Sequence, residues 1–332
     1  MSPTMTLAKA LNTALDDALG AREDVVLIGE DIGTLGGVFR ITDGLQTRYG
    51  ASRVIDSPLA EAGIIGTAVG MAYRGLRPVC EIQFDGFVFP GLDQLVTQVA
   101  RLHYRTGGAV RMPMTVRVPY GGGIGAVEHH SESPEAYFAH TPGLRVVTVA
   151  SPQEAYQTLR AAIDCDDPVV LLEPKRRYWT KGEVDTTARA DLDTARVVSP
   201  GQDVTLVAYG PMVATALDAA VAATEEGISI EVVDLRSISP VDRQTVAASV
   251  RRTGRLVVTH EAPASCSVAA EVMAVAVEEC FAHLEAAPER VTGYDIPYPP
   301  AALEDAFLPD LDRILDAVDR TLGRRSSLGV AS

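Results

Sequence analysis

The chain is 332 residues long, with 47% hydrophobic residues, 22% charged residues and a formal net charge of −15. This composition is typical of a globular protein with about two domains and excludes a disordered or fibrous chain. The negative charge disfavours binding to nucleic acid or to an anionic membrane surface. No apolar run reaches the roughly 18 residues that a membrane-spanning helix needs.

The four cysteines are widely spaced along the chain. They are Cys80, Cys165, Cys266 and Cys280, and they include no C-x-x-C pair. This spacing argues against a disulfide framework and against a zinc site. The first residues also lack the basic stretch and following apolar stretch of a secretory signal. We therefore expect a cytoplasmic protein.

The first half of the chain alternates short apolar runs, typical of buried strands, with longer segments typical of helices. We predict strands at 25–29, 54–56, 78–84, 114–118, 145–149 and 169–172, and helices at 6–20, 58–73, 91–105, 135–139 and 152–163. Ser57 and Ser133 each precede a proline, which predicts a serine cap at the start of the helices 58–73 and 135–139.

The stretch 175–200 is polar and poor in apolar residues, so we expect the boundary between two domains there. After it the alternation resumes, with predicted strands at 204–209, 228–233 and 256–259 and predicted helices at 212–226, 241–251, 267–284 and 310–322. Strands separated by helices of this length predict parallel sheets with helices on both faces. The expected fold class is α/β, with two domains whose mainly parallel sheets are flanked by helices.

Polar side chains follow several predicted strands at the point where those strands end. Glu30 and Asp31 follow the strand 25–29, and Glu61 follows the strand 54–56. Ligands of open α/β sheets bind beyond the C-terminal ends of the strands, so these acids are candidate site residues. Glu61 is either a solvated acid that complements the helix dipole or a buried carboxylate that hydrogen-bonds a ring nitrogen of a ligand.

Aromatic side chains and histidines are concentrated in two further segments. Phe84, Phe87 and Phe89 lie close together, and they either pack in the core or form an aromatic wall for a planar ligand. His129 and His130 are adjacent, so they cannot share one face of a helix or strand, and paired metal ligation is not expected. One of them is a candidate proton donor in a cleft, and an exposed loop pair is the alternative.

Residues 121–126 form a glycine-rich loop, Gly-Gly-Gly-Ile-Gly-Ala, after a predicted strand. The loop nearly matches the dinucleotide-binding pattern G-x-G-x-x-A. However, the sequence shows no helix start there and no acidic partner at the spacing that this pattern needs. A flexible active-site loop is therefore favoured over a pyrophosphate cradle.

Segments on both sides of the expected boundary form a recognisable set. They are 54–64 (VIDSPLAEAGI), 81–84 with Phe87 and Pro90, 130–140, 201–207, 233–236, 260–263, and 293–295 with Pro297. Across essentially the whole chain, this set resembles the β subunits of the thiamine-diphosphate-dependent 2-oxo acid dehydrogenases. The segment 130–140 is most similar to the branched-chain, or 2-oxoisovalerate, type.

The resemblance implies both a fold and an assembly. It implies a transketolase-like pyrimidine-binding domain over residues 1–190 and a transketolase C-terminal-like domain over residues 191–332, which helps to dock an acyltransferase core. It implies activity only with an α subunit, in an assembly of two α and two β chains. The implied reaction is oxidative decarboxylation of a small 2-oxo acid, with reductive acylation of lipoamide on a dihydrolipoyl acyltransferase core.

The resemblance also assigns roles to individual residues. Glu61 matches the catalytic carboxylate that hydrogen-bonds the aminopyrimidine of thiamine diphosphate, and Phe87 matches the aromatic position beside that ring. Leu59 and Gln83 match further cofactor contacts, and His130 matches a catalytic histidine used when the acyl group passes to lipoamide. A structural potassium ion is implied at the backbone carbonyls of Met112, Met114, Thr115, Ala162, Cys165 and Asp167.

One expected segment is missing from the sequence. Relatives of this kind bind the diphosphate and its Mg²⁺ through a G-D-G segment, which the chain lacks. The resemblance therefore implies that the α subunit holds Mg²⁺ and the anionic half of the cofactor. The segments 133–136 and 173–175 favour branched-chain 2-oxo acids as substrates. Pyruvate is the alternative substrate, and a non-catalytic α/β assembly scaffold is the alternative of a different class.

Overall fold

The computed structural model of the protein describes residues 2–324. The chain forms two compact units. The first runs to Gly121 and resumes from His129 to Leu192, and the second holds Gly122–Glu128 and begins again at Asp193. Both units are α/β, so the predicted fold class of mainly parallel sheets flanked by helices is confirmed. Within the described range, no helix is both long enough and apolar enough to cross a membrane.

The first unit is built around a parallel sheet. Its strands are β1 (Thr4–Thr6), β2 (Val25–Glu30), β3 (Val54–Ser57), β4 (Arg77–Glu81), β5 (Thr115–Tyr120), β6 (Arg145–Thr148), β7 (Val169–Pro174) and β8 (Lys181–Glu183). Its helices are α1 (Leu7–Ala21), α2 (Leu45–Tyr49), α3 (Glu61–Tyr73), α4 (Phe89–Gln94), α5 (Leu102–Arg105), α6 (Glu135–Ala139) and α7 (Pro152–Asp164). Six strands lie parallel in the order β6-β7-β5-β4-β2-β3, and β1 pairs antiparallel with β8.

The second unit has a mixed sheet. The strands of this unit are β9 (Arg196–Ser199), β10 (Val204–Ala208), β11 (Ile230–Asp234), β12 (Ser237–Ser239), β13 (Leu256–Pro263) and β14 (Glu289–Gly293), of which β12 is not part of the mixed sheet. Its helices are α8 (Met212–Ala223), α9 (Arg243–Thr253), α10 (Val268–Cys280), α11 (Glu304–Phe307) and α12 (Leu311–Thr321). The sheet order is β14-β13-β10-β11-β9, in which β9 runs antiparallel to β11.

Helix α1 shows why the amphipathic pattern of its sequence predicts it correctly. Thr6 caps the helix, because its Oγ1 accepts a hydrogen bond from the backbone N–H of Lys9 at 3.1 Å. Leu7, Leu11 and Leu15 on the apolar stripe are fully buried, and the helix packs against α7. Burial of one leucine side chain stabilises a fold by roughly 1.5–3 kcal/mol, so this stripe anchors α1 on the first unit.

The predicted serine caps are wrong. Ser57 is the last residue of β3, and α3 begins four residues later at Glu61. Helix α6 begins at Glu135 with Pro134, rather than Ser133, in the N-cap position. A proline drives the preceding residue towards extended backbone, which suits Ser57 to the end of a strand rather than to a helix start.

Two other segments differ from their predicted structure. The predicted helix 91–105 is divided, because a π-helical turn (Leu95–Val99) separates α4 from α5. The apolar period continues across this turn, so the pattern could not show the interruption. The polar stretch 175–200 contains the short strands β8 and β9. Short strands at an edge need no apolar alternation, and they therefore leave little trace in the sequence.

A buried ion cluster joins three strands of the first unit. Arg117 on β5 donates from Nε and Nη2 to the two carboxylate oxygens of Glu173 on β7, at 2.7 and 2.9 Å. Its Nη1 donates to Glu81, which lies opposite on β4. Tyr178 donates its Oη proton to Glu173 at 2.8 Å. These hydrogen bonds to charged groups fix the C-terminal ends of β4 and β7, from which several candidate site residues follow along the chain.

Candidate active site

Glu61 lies at the C-terminal edge of the parallel sheet in the first unit. It is the first residue of α3, and 6% of its surface is exposed. Burial raises the pKa of Glu30, at the end of β2, and the nearby charges of Asp31 and Glu61 raise it further. The side-chain amide of Gln83 donates to the Glu30 carbonyl at 3.5 Å. Of the two interpretations of Glu61, the structure therefore agrees with a buried carboxylate, and it brings Glu61, Glu30 and Gln83 together.

His130 is held against two phenylalanine rings. Its imidazole stacks on Phe84, with ring centroids 3.9 Å apart and an interplanar angle of 21°. Phe87 meets the same imidazole edge to face at 5.1 Å. The Nδ1 atom of His130 lies 2.8 Å from the carbonyl oxygen of His129. Because a carbonyl can only accept, Nδ1 carries a proton, and in the neutral ring the lone pair is on Nε2.

Phe84 is the centre of a larger aromatic cluster. Its ring also contacts Phe39, at a centroid distance of 5.3 Å, and Phe87, at 6.0 Å, and Phe39 packs on Tyr178 at 4.9 Å. Phe89 instead contacts Tyr137 at 5.5 Å and is more exposed. Phe84 and Phe87 therefore lie together beside His130, whereas Phe89 lies apart from them, and an aromatic wall for a planar ligand stays a prediction. Phe39 and Tyr178 were missed, because each lies far from these phenylalanines in the sequence.

A buried ion pair supports the turn that carries Phe84 and Phe87. The ammonium group of Lys175 pairs with Asp85 Oδ1, and both side chains are fully buried. Asp85 Oδ2 accepts a hydrogen bond from the backbone N–H of Glu132 at 2.6 Å. Burial raises the pKa of Asp85 to about 6, although Lys175 acts in the opposite direction. The pair therefore ties the segments before Phe87 and after His130 to the end of β7.

The remaining predicted positions are Leu59 and the backbone carbonyls assigned to a potassium ion. Leu59 precedes α3 and is 63% exposed. Among the carbonyls assigned to potassium, that of Cys165 accepts a hydrogen bond from Arg77 Nη1 at 2.8 Å, and that of Met114 accepts from Val169 N at 2.9 Å. Arg77 thus supplies positive charge at a carbonyl assigned to the ion, which does not favour a second cation there. Potassium at Met112, Met114, Thr115, Ala162, Cys165 and Asp167 stays a prediction.

The glycine-rich loop is bound to carboxylates of the second unit, to which Gly122–Glu128 belongs. Glu261 accepts from the backbone N–H of Gly122 at 3.0 Å, and Glu304 accepts from those of Gly123 and Gly125 at 2.9 and 3.0 Å. A pyrophosphate cradle needs such N–H groups for the phosphate oxygens. Protein carboxylates take that place here, which argues against a pyrophosphate cradle.

Two family models cover most of the chain. The model for the pyrimidine binding domain of transketolase matches residues 3–180, and the model for the transketolase C-terminal domain matches residues 193–314. A solved structure described as a split gene transketolase, an inactive β4 tetramer, superposes with a TM-score of 0.80. That match covers 96% of this chain and 98% of the other at 22% identity, and it supports the fold alone. The fold and the two family models define a two-domain, transketolase-like protein.

Relatives of known name narrow this class. The chain is 57% identical to the pyruvate dehydrogenase E1 component subunit beta of Leifsonia xyli subsp. xyli, over 96% of this chain and 95% of the relative. It is 52% identical to the 3-methyl-2-oxobutanoate dehydrogenase subunit beta of Mycobacterium tuberculosis, over 97% and 93%. It is 47% identical to the 2-oxoisovalerate dehydrogenase subunit beta of Pseudomonas aeruginosa, over 96% and 95%. The chain belongs to the family of 2-oxo acid dehydrogenase β subunits.

The substitution Lys175→Met tests the buried ion pair. It leaves the Asp85 carboxylate buried without its cation, which we expect to lower the unfolding free energy by about 3–5 kcal/mol at pH 7. The folded-state pKa of Asp85, about 6, lies above the 3.8 of an exposed aspartate, and it rises further without Lys175. As the pH falls, Asp85 is therefore protonated in the folded state at a higher pH than in the unfolded state. The loss of unfolding free energy relative to the wild type becomes smaller between pH 7 and pH 5.

Urea-induced unfolding at pH 7 and pH 5 measures this effect. The control is Lys181→Met on the exposed strand β8, for which we expect a change of about 0.5 kcal/mol or less at both pH values. A Lys175→Met deficit of the same size at the two pH values would contradict the assignment of the buried charge to Asp85.

Proposed function

We propose that this chain is the β half of a thiamine-diphosphate-dependent dehydrogenase of branched-chain 2-oxo acids. The observation that carries the proposal is the buried carboxylate of Glu61, grouped with Glu30 and Gln83 at one edge of the sheet. Gln83 leads directly into Phe84, on which His130 stacks. A carboxylate, an amide, aromatic rings and an imidazole at the C-terminal ends of parallel strands suit a cofactor that contains an aromatic ring.

The residues of this site fit the pyrimidine half of thiamine diphosphate. Glu61 and Gln83 provide the hydrogen-bonding groups that a pyrimidine needs, and Phe87 and Leu59 provide apolar surface. Bound thiamine diphosphate supplies the carbon nucleophile and the electron sink for decarboxylation. Because the sequence lacks a G-D-G segment, we propose that the α subunit holds Mg²⁺ and the diphosphate.

The chain's own residues then have two separate tasks. The Glu61 carboxylate would accept a hydrogen bond from the protonated pyrimidine ring nitrogen of the cofactor, and its burial would strengthen that bond because the local dielectric is low. His130 donates from Nδ1 to the carbonyl of His129, which fixes the tautomer and directs the Nε2 lone pair to proton transfer. We assign that proton transfer to the step in which the acyl group passes to lipoamide.

The names of the relatives include two substrate types. The segments 133–136 and 173–175 support branched-chain acids, and the Mycobacterium tuberculosis and Pseudomonas aeruginosa relatives carry branched-chain names. The Leifsonia xyli relative, which is named as a pyruvate dehydrogenase subunit, supports pyruvate as the second candidate. We further propose an assembly of two α and two β chains that acylates lipoamide on a dihydrolipoyl acyltransferase core.

Turnover by the assembled complex tests the substrate class. The chain is purified with its candidate α subunit, saturated with thiamine diphosphate and Mg²⁺, and given 3-methyl-2-oxobutanoate beside pyruvate. We expect a higher kcat/KM for the branched acid. A preference for pyruvate would keep the mechanism and reject the branched-chain assignment. An intact, cofactor-saturated complex that turns over neither acid would favour the non-catalytic scaffold.

The substitution Glu61→Gln tests the carboxylate. Glutamine keeps the size of the side chain but loses the basic oxygen, so we expect kcat to fall by about 100-fold or more while the assembly stays intact. The control is Asp93→Asn, an exposed acid on α4, for which we expect unchanged kcat. Full activity of Glu61→Gln would reject the assigned role.

The substitution His130→Ala tests the division of labour between the two steps. We expect acylation of lipoamide to fall by about 100-fold, the usual contribution of one general acid or base. Decarboxylation with an artificial electron acceptor should fall far less, since Glu61 remains in place. His103→Ala on the exposed helix α5 is the control. Equal losses in the two assays would show that His130 serves both steps.

A further inference from the structure

The glycine-rich loop is held by two buried acids that the proposed chemistry does not use. Glu304 and Glu261 are 8% and 4% exposed. Each oxygen of the Glu304 carboxylate accepts one backbone N–H group, from Gly123 at 2.9 Å and from Gly125 at 3.0 Å. Glu261 Oε2 accepts from Gly122 at 3.0 Å. One short stretch of backbone therefore has three N–H groups fixed by charged acceptors, which form stronger hydrogen bonds than neutral ones.

Tyr298 completes this arrangement. Its hydroxyl donates to Glu304 Oε1 at 2.7 Å and lies 3.4 Å from the backbone nitrogen of Gly123. Burial and the hydrogen bond to Glu304 raise the pKa of Tyr298, so the hydroxyl keeps its proton and remains a donor. A Cβ atom at position 122 would lie 1.9 Å from the Tyr298 oxygen, so Gly122 is required for this close approach.

The conformation of the loop also depends on glycine. Gly123 and Gly125 have φ angles of +83° and +68°, in the left-handed region that other residues rarely adopt. Glycine has more backbone freedom in the unfolded chain than any other residue. Fixing the backbone of one residue in a single conformation costs about 1–2 kcal/mol. The carboxylate hydrogen bonds of Glu304 offset that cost at both positions.

The chain runs within a few residues from this loop to His130, to which we assign proton transfer. Val127 and Glu128 connect the end of the loop to His129 and His130. The backbone of His129 packs closely on Gly86, where a Cβ atom would lie 2.4 Å from the His129 carbonyl oxygen. That carbonyl is the acceptor of the His130 Nδ1 proton. A change in the conformation of the loop would therefore shift the His129 carbonyl, which fixes the His130 tautomer.

We infer that Glu304 is a positioning residue for His130. Glu261 supports it by binding the same loop, and Tyr298 supports it by donating a hydrogen bond to the Glu304 carboxylate. The Glu304 carboxylate fixes the glycine loop, and the fixed loop holds the backbone at His129 and His130 in the arrangement that presents Nε2. The effect on acyl transfer rests on the proposed function, whereas the effect on loop order does not.

The variant Glu304→Gln tests this inference in the complex assembled with the α subunit. A glutamine amide has one acceptor oxygen, so it can serve Gly123 or Gly125 but not both. We expect amide hydrogen exchange in the peptide 121–130 to rise about tenfold, the effect of losing one hydrogen bond to a charged group. Acylation of lipoamide should fall about tenfold in kcat, with a smaller loss of decarboxylation measured with an artificial acceptor.

The control is Asp305→Asn, the exposed neighbour of Glu304 on α11, which should leave both readouts unchanged. If Glu304→Gln does not fold, Tyr298→Phe carries the same test, with about a threefold rise in exchange expected from the loss of one neutral hydrogen bond. Unchanged exchange in the peptide 121–130 overturns the inference. Raised exchange with unchanged acylation by an active complex overturns the positioning role.

A failure of the proposed function has a different signature. In that case the wild-type complex turns over neither acid, while Glu304→Gln still raises exchange in the peptide 121–130 and Asp305→Asn does not. That result supports the inference that Glu304 fixes the loop and the backbone of His129 and His130. It rejects the chemistry assigned to the site.

Discussion

The candidate site depends on one buried guanidinium group, that of Arg117. Burial disfavours its charge, but the carboxylates of Glu173 and Glu81 outweigh this effect and raise its pKa. A permanent cation between two buried acids makes each acid tolerable in the core, since an unpaired buried charge costs several kcal/mol. The cluster ties β4 to β5 and β7. Gln83 and Phe84 follow Glu81 along the chain, and Lys175 follows Glu173, so Arg117 fixes the framework from which the site is built.

The sequence predicts local structure well, but it does not predict contacts between residues that lie far apart along the chain. The apolar periods identify most helices and parallel strands, and the rule that ligands bind beyond strand ends points to Glu30 and Glu61. The pair of Asp85 and Lys175 joins residues 90 positions apart, so no local pattern reveals it. Lys175 instead looks like part of a polar linker. Ser57 is misleading for a local reason, because proline favours both a helix start and an extended preceding residue.

The glycine-rich loop shows a second limit of sequence interpretation. Exposed backbone N–H groups suit a phosphate, and they suit a carboxylate from the same chain equally well. The acids that bind this loop lie 139 to 181 residues further along the chain, at Glu261 and Glu304. All four glycines of the loop have a conformational or steric reason: Gly121, Gly123 and Gly125 have positive φ angles, and a Cβ atom at Gly122 would clash with Tyr298. The same motif can therefore mark a ligand site or an internal clamp, and the location of the acceptors decides between them.

The stacking of His130 on Phe84 restricts the direction from which a reaction partner can approach. One face of the imidazole is covered by a nearly parallel ring at 3.9 Å, and Phe87 lies edge to face against it. The lone pair of Nε2 points outward in the plane of the imidazole, not above it. A thiol or any other group that exchanges a proton with His130 must therefore arrive along that plane. Rotation of the ring about its Cβ–Cγ bond would break the stack, so Phe84 sets the angle of attack for whatever enters from outside.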